Sequence, residues 1–438
     1  MKLHPFQADL IRKSVDAMRT HQRVIMQLGT GGGKTACASW MIKKRLEVRP
    51  ESKIAFVAPL EEILEDTCAR LNRYGVDAAI FQSGRKGREA SVQVASLMTL
   101  AAIIRTPGQS VPPFDWIILD ECHHAPAAST RAVLDAYVES KVLGLTATPE
   151  RGDGVALGDS FDHMVVGPSN AWLTEHGYLV PCELVGPMAP EKGLVCNPCQ
   201  AYARWSPSTK AIVFCRTIAE AKRFSNEFVL NNICAIPLHG STSRKSRRTA
   251  REQVERGEVK VLCVAGLAWE GFDCPALETA IFACKVGTIG RWLQGIGRVS
   301  RTAPGKHRCT VIDLCGSWID NGLRDDKRVW SLTGRPVTNA ENMPALQRCK
   351  LCQAVFAPAP RCPRCGAEPL HIERALKVSG REVALAVVSN LSQAERDKRY
   401  LDKLRTIAVT KLHRIGSDAD GWALVQFVRR FKRQPEAA

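Results

Sequence analysis

Five short apolar runs punctuate the first part of the chain with little polar alternation: RVIMQ (23–27), KIAFVA (53–58), SVQVA (91–95), WIILD (116–120) and KVLGL (141–145). A strand with one face in water alternates, whereas a strand buried on both faces reads as a continuous apolar run. Amphipathic stretches such as 35–48 and 60–71 separate several of these runs and read as helices. Strand and helix in alternation predict a parallel sheet covered on both faces. The pattern pauses over GPMAPEKGLVCNPCQ (186–200), which reads as a linker because Pro and Gly punctuate it. It resumes with AIVFC (211–215), a helix over 218–230, ICAIP (233–237), KVLCVA (260–265), ETAIFA (278–283) and CTVIDL (309–314). The expected fold class is therefore α/β, with parallel-sheet domains over residues 1–185 and 208–335 joined by a linker over 186–207. A cysteine-bearing segment (336–370) and a helical, basic C-terminal region (371–438) follow, and no internal repeat is visible.

At 438 residues the chain exceeds one compact core. Lys and Arg number 61 against 44 Asp and Glu, a net charge of +17, and residues 341–438 supply about half of that surplus. Such an excess favours a polyanion, nucleic acid or an anionic membrane surface. No apolar run approaches the ~20 residues a membrane-spanning helix needs. Asp9, Arg12 and Lys13 break any secretory leader, and 17 cysteines scattered among apolar segments suit a reducing cytosol. Secreted, membrane-spanning and disulfide-scaffold classes are set aside.

The first chemical signal is Gly29, Thr30, Gly31, Gly32, Gly33, Lys34 and Thr35, placed between a predicted strand and a predicted helix. Glycines let backbone curl around phosphate oxygens at a helix N-terminus. Lys34 then reaches the β- and γ-phosphates of a nucleotide and the Thr35 hydroxyl ligates magnesium. Leu28 stands where the general pattern has Gly. The second signal is Asp120–Glu121–Cys122–His123–His124, directly after an apolar strand. Carboxylates at the C-terminal end of a parallel strand lie where such sheets bind ligands. Asp120 suits the magnesium, and Glu121 suits a general base acting on water. Two adjacent histidines rarely converge on one zinc.

In the order GTGGGKT, DECH, LTATPERGDG (145–154), GFD (271–273) and QGIGRVSR (294–301), the chain resembles a superfamily 2 helicase of the DEAD/DEAH type across residues 3–334. LTATPERGDG is most similar to the excision-repair and recombination branch. The cysteine segment resembles that of RadD-like bacterial repair helicases and related phage proteins. The resemblance implies two RecA-like domains with ATP bound by both. Gln7, in LHPFQ, would recognise adenine, although His4 stands where the family often has Arg. Gly271, Asp273 and Gln294 would line the nucleotide cleft. Arg298 and Arg301, three apart on an apparent helix and hence on one face, would reach the γ-phosphate, with Arg301 the better arginine finger. His123, Thr146 and Thr148 would couple hydrolysis to movement. Strand-tracking positions correspond to Pro59, Ser96, Thr99, Arg216, His239, Gly240 and Thr242, contacts that position a strand without reading its sequence. The acidic EEILED (61–66) departs from the family's basic or polar stretch, and the basic run at Arg244, Lys245, Arg247 and Arg248 reads first as solvated surface.

Cys349-x-x-Cys352 and Cys362-x-x-Cys365, nine residues apart, match a four-thiolate zinc ribbon of structural role. Cys196 and Cys199 lack a second pair nearby and read as free thiols. GWALVQFVRRFKR (421–433) reads as a docking helix. The expectation is an ATP-, Mg2+- and Zn2+-dependent helicase or translocase on DNA rather than RNA, in repair, recombination or replication, in a bacterial or phage-infected cytosol and without a membrane. An RNA helicase and a nucleic-acid-binding remodeller with little unwinding stay open beside it.

Overall fold

The computed structural model describes residues 3–59, 61–84, 88–124, 127–150, 156–187, 193–266 and 274–333, then 347–348, 355–356, 361, 366, 386–387, 393–412, 419–420 and 423–426. The chain divides into two compact units, Met1–Leu173 with Trp330–Pro336, and Thr174–Val329 with Val337–Ala438.

The first unit is built on β1 (Arg23–Gln27), β2 (Ile54–Ala58), β3 (Ala78–Phe81), β4 (Val92–Ser96), β5 (Trp116–Leu119), β6 (Lys141–Thr146) and β7 (His163–Val166). All pair in parallel, in the order β3-β4-β2-β5-β6-β1-β7. Its helices are α1 (Pro5–Thr20), α2 (Lys34–Val48), α3 (Glu61–Arg73), α4 (Leu97–Arg105), α5 (Ala128–Ala136) and α6 (Asn170–Glu175), the last running into the second unit. Pro5 at the first position of α1 loses no helical bond, and Phe6, Gln7, Leu10, Ile11 and Ser14 are buried at helical spacing. The five central strands are the apolar runs expected; β2 and β5 are buried along their whole length. The outermost β3 and β7 escaped the sequence reading because each is only part-buried and carries a weak apolar signal.

The second unit contains β8 (Cys182–Gly186), β9 (Ala211–Cys215), β10 (Ala235–Leu238), β11 (Val261–Ala265), β12 (Thr279–Phe282) and β13 (Cys309–Asp313), parallel in the order β10-β11-β9-β12-β13-β8. Its helices are α7 (Pro198–Trp205), α8 (Ile218–Leu230), α9 (Arg244–Arg256), α10 (Ile289–Val299) and α11 (Trp318–Asn321). Two short strands, β14 (Gln347–Arg348) and β15 (Val355–Phe356), form an antiparallel ladder, and β16 (Ala386–Val387) pairs antiparallel with β8. Helix α12 (Gln393–Leu412) follows, and its Lys403 pairs with Asp320 of α11, which also receives Lys285 at 2.9 Å.

Two expectations change. The boundary expected at residue 185 falls between 173 and 174, because β8 pairs with β13 through Cys182↔Cys309 to Val185↔Ile312. The expected linker is built into the second unit, since Cys199, Ala201, Tyr202 and Trp205 of α7 are buried in that sheet's core. Among the described residues no helix is long and apolar enough to cross a membrane.

Candidate active site

Every described candidate residue of the first unit except Gln7 stands at or just beyond the C-terminal end of a parallel strand or at the start of the helix that follows. The chain leaves β1 through Leu28, turns at Gly29–Gly32 with the Gly32 N–H donating to the Gly29 carbonyl at 3.0 Å, and enters α2 at Lys34. Gly31 and Gly33 have φ of 91° and 93°, a region that strongly favours glycine. A Cβ on Gly32 would lie 2.7 Å from Leu28 Cγ, and one on Gly33 2.5 Å from Gln7 Nε2. Leu28 therefore replaces the usual Gly without closing the loop: its fully buried side chain fills the space against Gly32. At Gly29, Gly32 and Gly33 the loop leaves no room for a side chain, and it opens at a helix N-terminus, which fits a polyphosphate.

Gln7 is 6% exposed and braces that loop. Its Nε2 donates to the Gly32 carbonyl at 2.9 Å, and its Oε1 accepts from the His4 N–H at 3.0 Å. Two of the four hydrogen bonds an amide can make are thereby used on the protein. The Lys34 ammonium donates to the Leu28 carbonyl at 3.1 Å.

Beyond β5 the Asp120 carboxylate is 7% exposed and accepts from the Glu121 N–H at 3.0 Å. Burial, reinforced by the adjacent Glu121 carboxylate, pushes Asp120 up to about 7, and the Lys34 ammonium opposes the rise. Glu121 has φ +48°, a left-handed backbone uncommon for a residue with a side chain and of the kind that collects at functional sites. No sequence signal announces it. The donor set of Thr35 hydroxyl and Asp120 carboxylate is hard oxygen, which suits Mg2+.

One network joins the carboxylates to the segment after β6. His123 Nδ1 lies 3.4 Å from Glu121 Oε2 and 3.1 Å from Thr146 Oγ1. Thr146 Oγ1 donates to the Thr148 carbonyl and accepts from the Thr148 N–H, each at 3.1 Å. A hydroxyl has one proton, so the assignment satisfying all three contacts has His123 Nδ1–H donating. Gln27 Nε2 donates to the Ala147 carbonyl at 2.8 Å, which carries the connection to β1. His123, Thr146 and Thr148 thus form one buried cluster. The His124 side chain lies outside the described residues.

The strand-tracking candidates of this unit serve the fold as well. Ser96 caps α4 by accepting from the Thr99 N–H, and Thr99 Oγ1 accepts from the Ser83 N–H at 3.1 Å. Pro59 is half-buried just past β2. The side chains of Glu61 and Glu62 lie outside the described residues.

In the second unit, Arg216 is exposed past β9, and its N–H donates to Glu220 Oε2 at 2.9 Å. His239 N–H donates to Thr242 Oγ1 at 3.0 Å, closing the turn after β10. Arg247, passed over in the sequence as part of a solvated basic run, donates to the carbonyls of His239 and Gly240 at 3.2 and 2.9 Å. Gln294 is buried in α10, where a Cβ on neighbouring Gly295 would lie 2.8 Å from the Phe282 ring. The shared helical face expected for Arg298 and Arg301 is not found. Helix α10 ends at Val299, and Arg301 continues into a bridge with Leu179, while the Val180 N–H donates to the Ser300 carbonyl at 2.9 Å. That pairing with the chain just before β8 ends the helix before Arg301.

Gly271 and Asp273 lie outside the described residues, as do Cys349, Cys352, Cys362 and Cys365; among the described residues no group of metal-binding side chains is found.

Residues 1–151 match the family model for the type III restriction enzyme res subunit, and residues 197–303 match the helicase conserved C-terminal domain. A Lactococcus phage protein of 51.5 kDa is 24% identical over 83% of this chain and 84% of its own length. A Schizosaccharomyces pombe protein, named as a proposed mitochondrial ATP-dependent helicase, irc3, is 26% identical over 78% of this chain, which spans 62% of that relative. Among solved structures, the ATP-dependent type ISP restriction-modification enzyme LlaBIII bound to DNA aligns at TM-score 0.56 and 16% identity, covering 72% of this chain and 28% of that one. The two models match in chain order, one within each sheet-bearing part, and with the helicase relatives they support an ATP-hydrolysing enzyme similar to superfamily 2 helicases.

Proposed function

We propose that this chain couples ATP hydrolysis to movement along, or unwinding of, DNA in repair, recombination or replication. The observation that carries the reading is the phosphate loop joined, through Gln27 and the His123–Thr146–Thr148 cluster, to the Asp120–Glu121 carboxylates. Lys34 would pair with the phosphates, Thr35 and Asp120 would hold Mg2+, and Glu121 would take a proton from water. The metal, when bound, supplies charge neutralisation at the transferred phosphoryl group. His123 would couple the position of Glu121 to Thr146 and Thr148. Arg301 would stabilise the charge that develops in hydrolysis, with Arg298 supporting it.

Nucleic acid as the partner is supported by the +17 charge and by the helicase and restriction-enzyme models. The restriction-enzyme match favours DNA. Pro59, Ser96, Thr99, Arg216, His239, Gly240 and Thr242 are the proposed strand contacts, with Arg247 holding the turn that carries the last three of them. Cys349, Cys352, Cys362 and Cys365 are proposed as a structural zinc site. Support comes from the antiparallel β14–β15 ladder, whose strands flank the first cysteine pair in the chain, and from the left-handed Gly366 directly after Cys365.

The test is ATPase activity with single-stranded, duplex and forked DNA and with RNA at matched salt, beside strand displacement, with Lys34→Ala as the control. DNA-stimulated ATPase with displacement is expected. Stimulation without displacement would establish a remodeller instead, stimulation by RNA alone an RNA helicase, and absence of any nucleotide hydrolysis would refute the motor.

A further inference from the structure

The segment after β7 belongs to none of the helicase motifs, yet it packs on the phosphate loop. The Gly167 N–H donates to the Gln27 carbonyl at 2.8 Å, so the chain leaves β7 alongside the exit of β1. A Cβ on Gly167 would meet that carbonyl at 2.9 Å and Leu28 Cδ1 at 3.0 Å. Three residues on, Asn170 Oδ1 lies 2.2 Å from the place a Cβ on Gly29 would occupy, so the carboxamide is pressed against the first glycine of the loop. Trp172 is half-buried, its backbone N–H donates to Ser169 Oγ at 3.1 Å, and its ring meets Phe6 edge-on at 5.8 Å and 68°. Phe6 in turn lies parallel to the His4 ring at 5.9 Å and 3°. The residue after Phe6 is Gln7, whose amide holds the Gly32 carbonyl.

We propose that Asn170 and Trp172 complete the nucleotide site, Asn170 bracing the phosphate loop at Gly29 and Trp172, backed by the buried Phe6, giving an aromatic wall for the base. The inference rests on the ATP reading above. Each residue answers to a different part of the ligand. An aromatic wall acts on any nucleobase through its π-face and leaves the phosphates untouched, whereas a brace on the loop acts on the phosphates whatever they carry.

The experiment measures dissociation constants of the full chain for MgATP and for inorganic tripolyphosphate with Mg2+, by calorimetry. Trp172→Ala is expected to weaken ATP about tenfold, within the range seen for losing one base–aromatic stack, and to leave tripolyphosphate unchanged. Trp172→Phe, which keeps an aromatic face, should recover most of the loss. Asn170→Ala is expected to weaken both ligands by the same factor. Equal weakening of both ligands by Trp172→Ala, or no change in either, overturns the wall; an unchanged tripolyphosphate constant in Asn170→Ala overturns the brace. Should the wild-type chain bind tripolyphosphate and ATP equally well, the wall falls while the phosphate site stands. Binding of neither by the wild type refutes the ATP reading, and this inference with it. Circular dichroism of each variant separates loss of fold from loss of binding.

Discussion

Replacing Gln7 separates two roles that the same residue type can play. The LHPFQ resemblance implies adenine recognition, whereas the structure uses the amide to tie the Gly32 carbonyl to the His4 backbone. Gln7→Ala removes both bonds from a site only 6% exposed. At about 0.5–1.5 kcal/mol each, and with the loop's preorganisation expressed fully in binding, the loss is roughly 1–3 kcal/mol, or about 5- to 150-fold in nucleotide affinity. Gln7→Glu should be worse, because a carboxylate facing the Gly32 carbonyl offers an acceptor where a donor is needed. The assay is equilibrium binding of ATP and GTP to each variant in Mg2+. A loop brace weakens both nucleotides by the same factor, since both present the same triphosphate. An ATP loss above about tenfold with GTP unchanged would refute the brace and restore base reading. An ATP constant within twofold of wild type would show that the two bonds do not govern the loop.

Lys34→Ala should abolish ATP turnover, and Glu121→Gln should abolish it while retaining ATP binding, as read by steady-state hydrolysis beside calorimetry. Arg301→Ala should depress kcat by about a thousandfold or more with little change in ATP affinity, in the range of losing a guanidinium at phosphoryl transfer; equal loss of both would argue against that role. Asp313 is fully buried, and desolvation pushes it up to about 6 although the backbone N–H groups of Trp318 and Cys315 pull it down. A carboxyl raised above its ordinary value of 3.8 keeps in the fold a proton that the unfolded chain releases, so stability falls as pH rises through that window. Between pH 5 and 8 the unfolding free energy of Asp313→Asn should therefore gain on the order of 1 kcal/mol on wild type in urea titrations, and no pH-dependent difference would contradict the assignment. The wild-type chain should carry one zinc by atomic emission, and Cys362→Ser should lose it; unchanged metal content would defeat the four-thiolate site.

The central strands were legible because burial on both faces leaves a signature in every residue, as in IAFVA of β2 and VLCVA of β11. The phosphate loop was legible for a different reason: glycine at 31 and 33 is required by the backbone itself. What stayed hidden depends on partners distant in sequence. The end of α10 before Arg301 follows from pairing with residues near 180. The true start of the second unit follows from β8 joining β13, more than 120 residues later. The loop-bracing role of Gln7 needed Gly32 to be placed 25 residues away. Leu28 illustrates the converse, a departure from pattern that reads as a defect in one dimension and as packing in three.

The antiparallel seating of β16 on β8 makes the late part of the chain a seal as well as an appendage. An engineer who trimmed the protein to its motif-bearing stretch, stopping near residue 335, would bare the peptide groups of Val185 and Gly186 at the end of β8. The same cut would take Lys403 from the Asp320 ion cluster. Such a minimal version should stick to copies of itself through that exposed margin, and a light-scattering comparison with the intact polypeptide would reveal it.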